Sequence, residues 1–489
     1  MNSQNHKKRL WLITATIVSI LLAITCTIAQ EEIPITTSSD EALELFRKGR
    51  DLWEKGIQEC TQYFEKAIAK DSTFAMAYYF LAFSRYDLDK LFAYLNKAVS
   101  LVDKVSEGEK IILLATQAEF INDNPTKAKE LYQKLVETYP QDKRAHEAFG
   151  FCYFRTREYG EAIDEYKKAI EIDPDFASPY NPMGYCYSYL GNYDEAEKVL
   201  KKYAELIPNA ANPHDSYGEI LMKQGKFDES IDAYKKALSL DPDFLAAHIG
   251  LGTNLIFKGK ADEGRKEFQK FYNMAHDDGE RQYVIQAIAA SYIYEGKFEK
   301  AMQELQELHS IVEKNNNLIE MAYSVNLMAD LLLETGKLVE AEMKYLKSVE
   351  LIEKSEIASK EQKNDVKQGL LFDEAHIALK KDDVITAKAK ADEYRKQIEI
   401  DNNPLEMQTS HELVGMIALH EKRYDDALQE LQQANQRNPR NLCRMAKAYQ
   451  GKGDKVKAKE FWTKAANFNE ISINYAYIHN KAKKKLAEM

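Results

Sequence analysis

Three short stretches of the sequence hold residue types that could support catalysis. Residues 250–252 begin the Gly-x-Gly pattern that cradles dinucleotide phosphates, but Leu255 stands where the third glycine belongs. Residues 411–412 (His-Glu) begin the zinc-protease pattern His-Glu-x-x-His, but Gly415 takes the place of the second histidine. Residues 214–216 read His-Asp-Ser, yet a nucleophilic triad needs side chains that converge in space, not neighbours in sequence. We therefore expect no catalytic residue and a protein that is not an enzyme.

The cysteines suggest neither a metal centre nor a disulfide framework. They are sparse and lack Cys-x-x-Cys spacing: Cys26, Cys60, Cys152, Cys186 and Cys443. Cys152 and Cys186 are one repeat apart, so they should lie about one helix spacing apart, roughly 8–10 Å, which exceeds the reach of a disulfide. We expect both to be buried small apolar residues, and we expect no cofactor and no bound metal.

The elements that position these residues follow a strict period. Four prolines recur every 34 residues, and four glycines keep the same step: Pro140, Pro174, Pro208 and Pro242, with Gly150, Gly184, Gly218 and Gly252. Such a period indicates a repeat protein in which each unit is one helical hairpin stacked on the next. The sequence therefore predicts an all-α solenoid with a long binding surface instead of a closed active site.

The repeated residues have physical roles in such a hairpin. A glycine inside a helix costs about 1 kcal/mol relative to alanine, so its recurrence at one position predicts a close approach of the partner helix. Ala162 and Ala196 supply the matching small position in the second helix. Gly191 and Gly225 follow first helices, where a left-handed C-cap favours glycine, and the prolines end the second helices.

Residues 143–176 (KRAHEAFGFCYFRTREYGEAIDEYKKAIEIDPDF) carry all of these features, and the chain resembles the tetratricopeptide repeat family. The resemblance implies a right-handed α-solenoid superhelix of stacked helix-turn-helix repeats. We expect an N-terminal array over residues 41–278, with strict register over 109–275. A longer, degenerate array is expected over 279–470, followed by a capping helix in 471–489.

The resemblance also implies a binding groove. In this family the first helix of each unit lines a concave face through its second, fifth, ninth, twelfth and thirteenth positions. The candidate groove residues at these positions are Arg144, Phe151, Phe154, Arg155, Asn181, Tyr185, Ser188, Tyr189, Asp215, Glu219, Met222 and Phe257. Aromatic residues beside polar ones suit peptide binding, although packing between neighbouring first helices explains the aromatics equally well. The Lys and Asn pair with which some members grip C-terminal carboxylates is absent.

Four histidines share the fourth position of a repeat, which takes a large flat side chain in this family. They are His146, His214, His248 and His411. We therefore expect packing roles for them and not metal ligation.

Residues 1–29 predict export. Lys7, Lys8 and Arg9 precede an uncharged run of 20 residues, which is typical of a signal peptide. The run is also long enough to span a bilayer, and lipidation at Cys26 is a third interpretation. Each places the body across a membrane: periplasmic or secreted, or held by a single-pass anchor. Residues 30–40 would be a linker.

The net charge of −11 argues against nucleic acid as a partner. The basic run at residues 481–485 is expected to be solvated charge at a helix C-terminus. The sequence favours a non-enzymatic extracytoplasmic scaffold or adaptor that binds protein segments along its groove. One alternative is a self-associating, homo-oligomeric assembly factor that uses the C-terminal hairpins as its interface. A remote alternative is an enzyme or a carbohydrate-binding protein.

Overall fold

The structure is a computed structural model that describes residues 32–489 apart from residues 58, 85–87, 123 and 402–403. Within this part of the chain there are 25 α-helices and no β-strand. None of these helices has the length and apolar character needed to cross a membrane. The predictions for residues 1–29 lie outside the described residues.

Twelve helical hairpins follow one another, and a single helix ends the chain. The first helices are α1 (Asp40–Trp53), α3 (Ala75–Phe83), α5 (Glu107–Thr116), α7 (Lys143–Arg155), α9 (Tyr180–Tyr189), α11 (Ala211–Lys223), α13 (Leu245–Phe257), α15 (Asp278–Tyr294), α17 (Leu318–Glu334), α19 (Lys360–Lys380), α21 (Pro404–His420) and α23 (Pro439–Gly451). The second helices are α2 (Cys60–Lys70), α4 (Leu88–Val99), α6 (Pro125–Thr138), α8 (Tyr159–Ile172), α10 (Tyr193–Leu206), α12 (Phe227–Leu240), α14 (Ala261–Met274), α16 (Phe298–Lys314), α18 (Leu338–Lys354), α20 (Val384–Asp401), α22 (Tyr424–Gln433) and α24 (Lys455–Ala466). The terminal helix is α25 (Ala476–Ala487), and a π-helical turn, Gln117–Ile121, extends α5.

Contacts between residues divide the chain into two compact units, the first ending at Pro213 and the second beginning at His214. In each unit the apolar faces of successive hairpins form the core. The described helices thus confirm the predicted all-α solenoid of helix-turn-helix repeats.

The repeated glycines lie where helices touch. A Cβ atom at Gly184 in α9 would stand 2.5 Å from Cγ of Leu200 in α10, so only glycine permits this approach. Gly191 follows α9 with a φ of +79°, a left-handed conformation that favours glycine. These two positions show the close contact and the C-cap that the sequence predicts.

The described part of the predicted linker is held against the first unit by hydrogen bonds. Backbone N–H groups of this segment donate to buried carboxylates that belong to three different hairpins. The bonds run from Ile33 to Asp142 (2.7 Å), from Thr36 to Glu109 (2.9 Å) and from Ser38 to Asp71 (2.7 Å). Because Asp142 and Glu109 lie at the starts of α7 and α5 and Asp71 follows α2, residues 33–38 run along one edge of the first unit.

The C-terminal segment does more than cap the array. Helix α25 packs on α24 and α23, as a cap would, and also reaches back to α15. There Asn480 donates a hydrogen bond to the carbonyl of Tyr294, and the ring of His479 lies 5.6 Å from that of Phe257. The helix begins at Ala476, later than the expected residue 471, because residues 468–475 form an irregular crossing in which Ile471 and Ile473 join the core.

Candidate functional site

The first unit contains a concave cavity of about 510 Å³. It is lined by residues of the first helices, of the N-terminal segment 32–38, and of three second helices, α6, α8 and α10. The aromatic lining residues are Trp53, Tyr79, Phe80, Phe83, Phe120, Tyr132, Phe151, Phe154, Tyr166, Tyr185 and Tyr203, and the polar ones include Arg50, Glu54, Asp142, Arg144, Glu147, Ser178 and Asn181. Spacings of three and four residues along α7 (144, 147, 151 and 154) place these residues on one face of the helix. We call this the aromatic cavity.

The rings of the aromatic cavity contact one another in a continuous series. The Trp53 ring is 5.1 Å from that of Phe80, and Phe83 contacts both Tyr79 and Phe120 at 5.2 Å between ring centres. These pairs are edge-to-face, a favourable arrangement for aromatic rings. On the opposite wall Phe151 remains 41% exposed and so offers its ring to a ligand.

Charged groups at the floor of the cavity are incompletely paired. Arg144 Nε donates to Glu54 Oε1 at 2.7 Å, and Arg50 Nε lies 3.8 Å from the same oxygen. Two guanidinium groups therefore share one carboxylate, and no described group accepts a hydrogen bond from the buried Arg50 Nε. The buried Oδ1 of Asn181 also has no hydrogen-bond donor within the described residues.

Glu147 stands between these groups and titrates near neutrality. Burial raises the pKa of its carboxyl to about 7, and a hydrogen bond from the Ser178 hydroxyl limits the shift. The protonated carboxyl is therefore far more populated near neutral pH than that of an exposed glutamate. Protonated Glu147 can donate a hydrogen bond, whereas the ionised form only accepts.

The corresponding face of the second unit is covered by the chain itself. The ring of Phe257 contacts those of Tyr294 and His479, both at 5.6 Å. Asn469, just before the terminal segment, donates to the carbonyl of Lys223 at 3.3 Å. An open groove of the kind found in the first unit is therefore not present at Phe257.

The repeat histidines make paired contacts within their hairpins. His146 Nδ1 lies 2.6 Å from Glu165, and His248 Nδ1 lies 2.8 Å from Glu267. The other ring nitrogen of each contacts the carbonyl of a repeat proline, Pro140 or Pro242. No group of three or more potential metal ligands occurs in the described part of the chain. The histidines thus join helices through hydrogen bonds.

Family comparisons agree with this architecture. The model described as "TPR repeat" matches residues 153–188 and 218–253, and models described as "Tetratricopeptide repeat" match residues 110–142 and 177–209. The chain contains tetratricopeptide repeats. The matched repeats include α9, which contributes Asn181 and Tyr185 to the aromatic cavity.

Solved structures similar to parts of this tetratricopeptide repeat chain have low sequence identity. MamA from Desulfovibrio magneticus RS-1 is 18% identical, with 35% of this chain and 99% of that protein covered and a TM-score of 0.32. A tetratricopeptide repeat protein from Parabacteroides merdae ATCC 43184 is 15% identical, with coverages of 54% and 98% and a TM-score of 0.41. YrrB, described as a TPR protein with an unusual peptide-binding site, is 19% identical, with coverages of 44% and 93% and a TM-score of 0.29. No curated protein matches the sequence.

The structure brings only some of the candidate groove residues together. Those that line the aromatic cavity are Arg144, Phe151, Phe154, Asn181 and Tyr185. Three others of the first unit lie beside it: Arg155 covers the Phe120 ring at 3.9 Å and pairs with Glu119, Ser188 is buried, and Tyr189 packs against Phe154 and Tyr159. The remaining four, Asp215, Glu219, Met222 and Phe257, belong to the second unit.

The first two hairpins, in which the sequence follows the repeat pattern only weakly, contribute lining residues that the candidate set lacks. Met76, Tyr79 and Phe83 occupy the second, fifth and ninth positions of the unit that starts at residue 75. Trp53 occupies the thirteenth position of the unit that starts at residue 41. The same positional rule therefore identifies them, provided that it is extended to repeats whose prolines are missing.

Proposed function

We propose that this tetratricopeptide repeat chain is a non-enzymatic scaffold that binds an extended segment of a partner protein in the aromatic cavity. The observation that carries the proposal is the combination of eleven aromatic lining residues with unpaired polar atoms in one concave cavity. Aromatic rings supply large contact areas and are enriched among residues that dominate binding energy. A cavity formed by stacked helices also needs little ordering before it binds.

Two unpaired polar atoms of the lining, in addition to the buried Tyr166 hydroxyl, favour a peptide over a purely apolar ligand. Arg50 Nε is a hydrogen-bond donor, and Asn181 Oδ1 is an acceptor. Each peptide group offers a carbonyl and an N–H, so an extended backbone supplies the partner that each atom lacks. Apolar or aromatic side chains of the same segment would fill the space between the rings.

Peptides selected from a random library on the full chain test this proposal. Isothermal titration calorimetry would compare the wild type, the double variant Phe151→Ala with Tyr185→Ala, and the control Tyr187→Ala. Tyr187 lies on the same helix as Tyr185 but packs beneath Lys167 and is not part of the cavity lining. Losing a dominant aromatic contact costs about 2 kcal/mol or more, so we expect roughly 30-fold weaker binding in the double variant and an unchanged control. Equal affinities of double variant and wild type would refute the site.

We further propose that the scaffold acts outside the cytoplasm. The support is the cationic start and uncharged run of residues 1–29. The intact mass of the mature protein decides among the three modes of export: loss of residues 1–29 indicates cleavage, a lipid adduct on Cys26 indicates lipidation, and the full mass in a membrane fraction indicates an anchor. Full-length protein in the cytoplasmic fraction would refute export.

One feature favours self-association through the C-terminal hairpins as a second candidate. Val339, Met343 and Leu346 are 64%, 66% and 50% exposed, and their spacing of four and three residues aligns them along one face of α18. Apolar residues aligned on an exposed helix face commonly mark protein contacts. Sedimentation velocity over a hundredfold concentration range would detect the dimer, and Met343→Glu should abolish it. A wild-type monomer at every concentration would remove this candidate.

A further inference from the structure

A second pocket, of about 350 Å³, lies in the second unit and is strongly basic. It is formed by α17, α19, α21, α23 and α25. Its cationic lining residues are Lys380, Arg440, Arg444, Lys447 and Lys481, and His376 and His420 also line it. Among the described residues, Glu334 is the one carboxylate in the lining. We call this the basic pocket. Its charge contrasts with the net charge of −11 of the whole chain.

The fold gathers these cations from three helices. Arg440, Arg444 and Lys447 follow spacings of four and three residues and therefore share one face of α23. Lys481 comes from the terminal helix α25, and Lys380 is the last residue of α19. Because α25 packs against α23 and α24, the basic run that begins at Lys481 contributes to a pocket and is not only solvated helix-end charge.

Carboxylates near the pocket pair with its two arginines and with His420, whose Nε2 lies 2.7 Å from Asp382 Oδ1. Arg440 pairs with Glu334 at 2.6 Å and donates Nε to the carbonyl of Asn474 at 3.0 Å. Arg444 pairs with Glu412 at 2.6 Å. These contacts leave Nη2 of both guanidinium groups for another acceptor.

The three lysines have no ion-pair partner in direct contact, although the charge of Glu334 acts on Lys380 and Lys481. Among the residues that the structure describes, Lys380, Lys447 and Lys481 form no ion pair and no hydrogen bond. All three are exposed at the rim of the pocket, so their ammonium groups are accessible from solvent. The pocket thus holds an excess of positive charge at the protein surface.

Burial and the excess positive charge shift the pKa values of two side chains in the pocket. Although part of the Lys447 side chain is exposed, the protein atoms packed around it partly desolvate its ammonium group and lower its pKa, and the neighbouring charge of Lys481 lowers it further. Burial, with Arg444 and Lys380, lowers the pKa of His376 to about 3, so this imidazole is neutral at pH 7. Like charges held together without counter-ions destabilise a fold, and such arrangements cluster at functional sites. A bound anion would remove the repulsion.

We propose that the basic pocket binds a multiply charged anion of the phosphate class, supplied as free phosphate, as a phosphorylated small molecule or as a lipid head group. Guanidinium groups bind phosphate oxygens through paired N–H donors, and lysines add point charges. The volume lies within the range of small-molecule sites and suits one phosphate or pyrophosphate group. This site is separate from the aromatic cavity and does not depend on its function.

Calorimetric titration of the full chain with pyrophosphate tests the proposal. The variant is Lys447→Ala with Lys481→Ala, two lysines that form no ion pair or hydrogen bond among the described residues, and circular dichroism checks that it folds as the wild type does. The control, Lys459→Ala with Lys484→Ala, removes the same charge from exposed lysines of α24 and α25 outside the pocket lining. We expect one pyrophosphate per chain, at least tenfold weaker binding in the variant, unchanged binding in the control, and weaker binding as salt rises.

Vesicle sedimentation separates the possible sources of the phosphate group. Phosphatidylglycerol vesicles are compared with phosphatidylcholine vesicles, using the same variant and control. Binding of pyrophosphate alone supports a soluble ligand, and binding of anionic vesicles that the Lys447 and Lys481 variant loses supports a lipid head group. No binding of either probe, equal binding by variant and wild type, or tighter binding of citrate than of pyrophosphate would overturn the proposal.

Discussion

Replacing two equivalent glycines with alanine should change stability by different amounts. Gly218 in α11 and Gly252 in α13 stand one repeat apart, and both belong to the second unit. A Cβ atom at Gly252 would lie 2.3 Å from Cε1 of Phe268 and 2.9 Å from the carbonyl oxygen of Gly264. A Cβ atom at Gly218 would lie 3.3 Å from its nearest neighbours, which belong to the Tyr234 ring. The pair therefore isolates steric contact from helix propensity.

The expected magnitudes follow from these distances. Alanine stabilises a helix interior by about 1 kcal/mol relative to glycine. At Gly218 a small shift of the ring accommodates the methyl group, so the free energy of unfolding should change by less than about 1 kcal/mol. At Gly252 the obstacle is a fully buried ring and a backbone oxygen, and overpacking of this kind costs about 1–3 kcal/mol. Gly252→Ala should therefore be less stable than Gly218→Ala by roughly 1–3 kcal/mol.

Urea unfolding followed by circular dichroism measures the difference. Because stacked repeats can unfold in parts, hydrogen exchange of α13 and α14 would confirm that the loss is local to the substituted hairpin. If Gly252→Ala were as stable as Gly218→Ala, close helix contact would not explain the recurring glycine.

Three further predictions concern buried polar side chains in the two units. Burial opposes protonation of His248, but the hydrogen bond to Glu267 raises the His248 pKa, so the pair stabilises the fold below the unfolded pKa of about 6.5 and loses this stability as pH rises through the folded pKa. His248→Gln should therefore lower the free energy of unfolding in urea by about 1 kcal/mol at pH 6 and by less at pH 9. Equal losses at the two pH values would contradict the pairing. Burial and the nearby charge of Lys483 lower the pKa of His479 to about 4, and neither ring nitrogen has a hydrogen-bond partner among the described residues, so the packing of α25 should weaken as pH falls below about 6.5. In His479→Phe, hydrogen exchange of residues 476–487, corrected for intrinsic rates, should be slower than in the wild type, and the difference should be larger at pH 5 than at pH 8. An equal difference at both pH values would refute this prediction. Asp142 accepts hydrogen bonds from the backbone N–H of Ile33 and from the first backbone N–H groups of α7. Asp142→Ala should therefore lower the free energy of unfolding by about 1–3 kcal/mol and make residues 32–38 accessible to limited proteolysis. Complete protection of these residues in the variant would contradict the role of Asp142 in holding the segment.

The sequence predicted what recurs with the repeat. The period located Gly184 at a helix contact and Gly191 at a C-cap, because each position has the same surroundings in every unit. It also placed Phe151 and Tyr185 on the cavity face, since position within a first helix determines direction. The bonds of the repeat histidines had a visible signal as well: Glu165 and Glu267 each stand 19 residues after their histidine.

Features that break the repeat were not predictable from the sequence. The return of the C-terminal segment to α15 joins Asn480 to Tyr294, 186 residues earlier, and no local pattern encodes a contact of that range. The pinning of residues 33–38 likewise depends on carboxylates from three hairpins. In the basic pocket the spacing of Arg440 and Arg444 is visible, but the approach of Lys481 follows only from the packing of α25.

The central claim, that the aromatic cavity is the partner-binding surface, is tested most directly by photo-crosslinking in the native host. Benzoylphenylalanine replaces Phe151 inside the cavity or, as the control, Lys198, whose side chain is 70% exposed on α10. We predict that position 151 yields a discrete crosslinked partner, that Tyr185→Ala in the same chain abolishes it, and that position 198 yields none. Crosslinks of equal yield at both positions, or at 151 without dependence on Tyr185, would contradict the account.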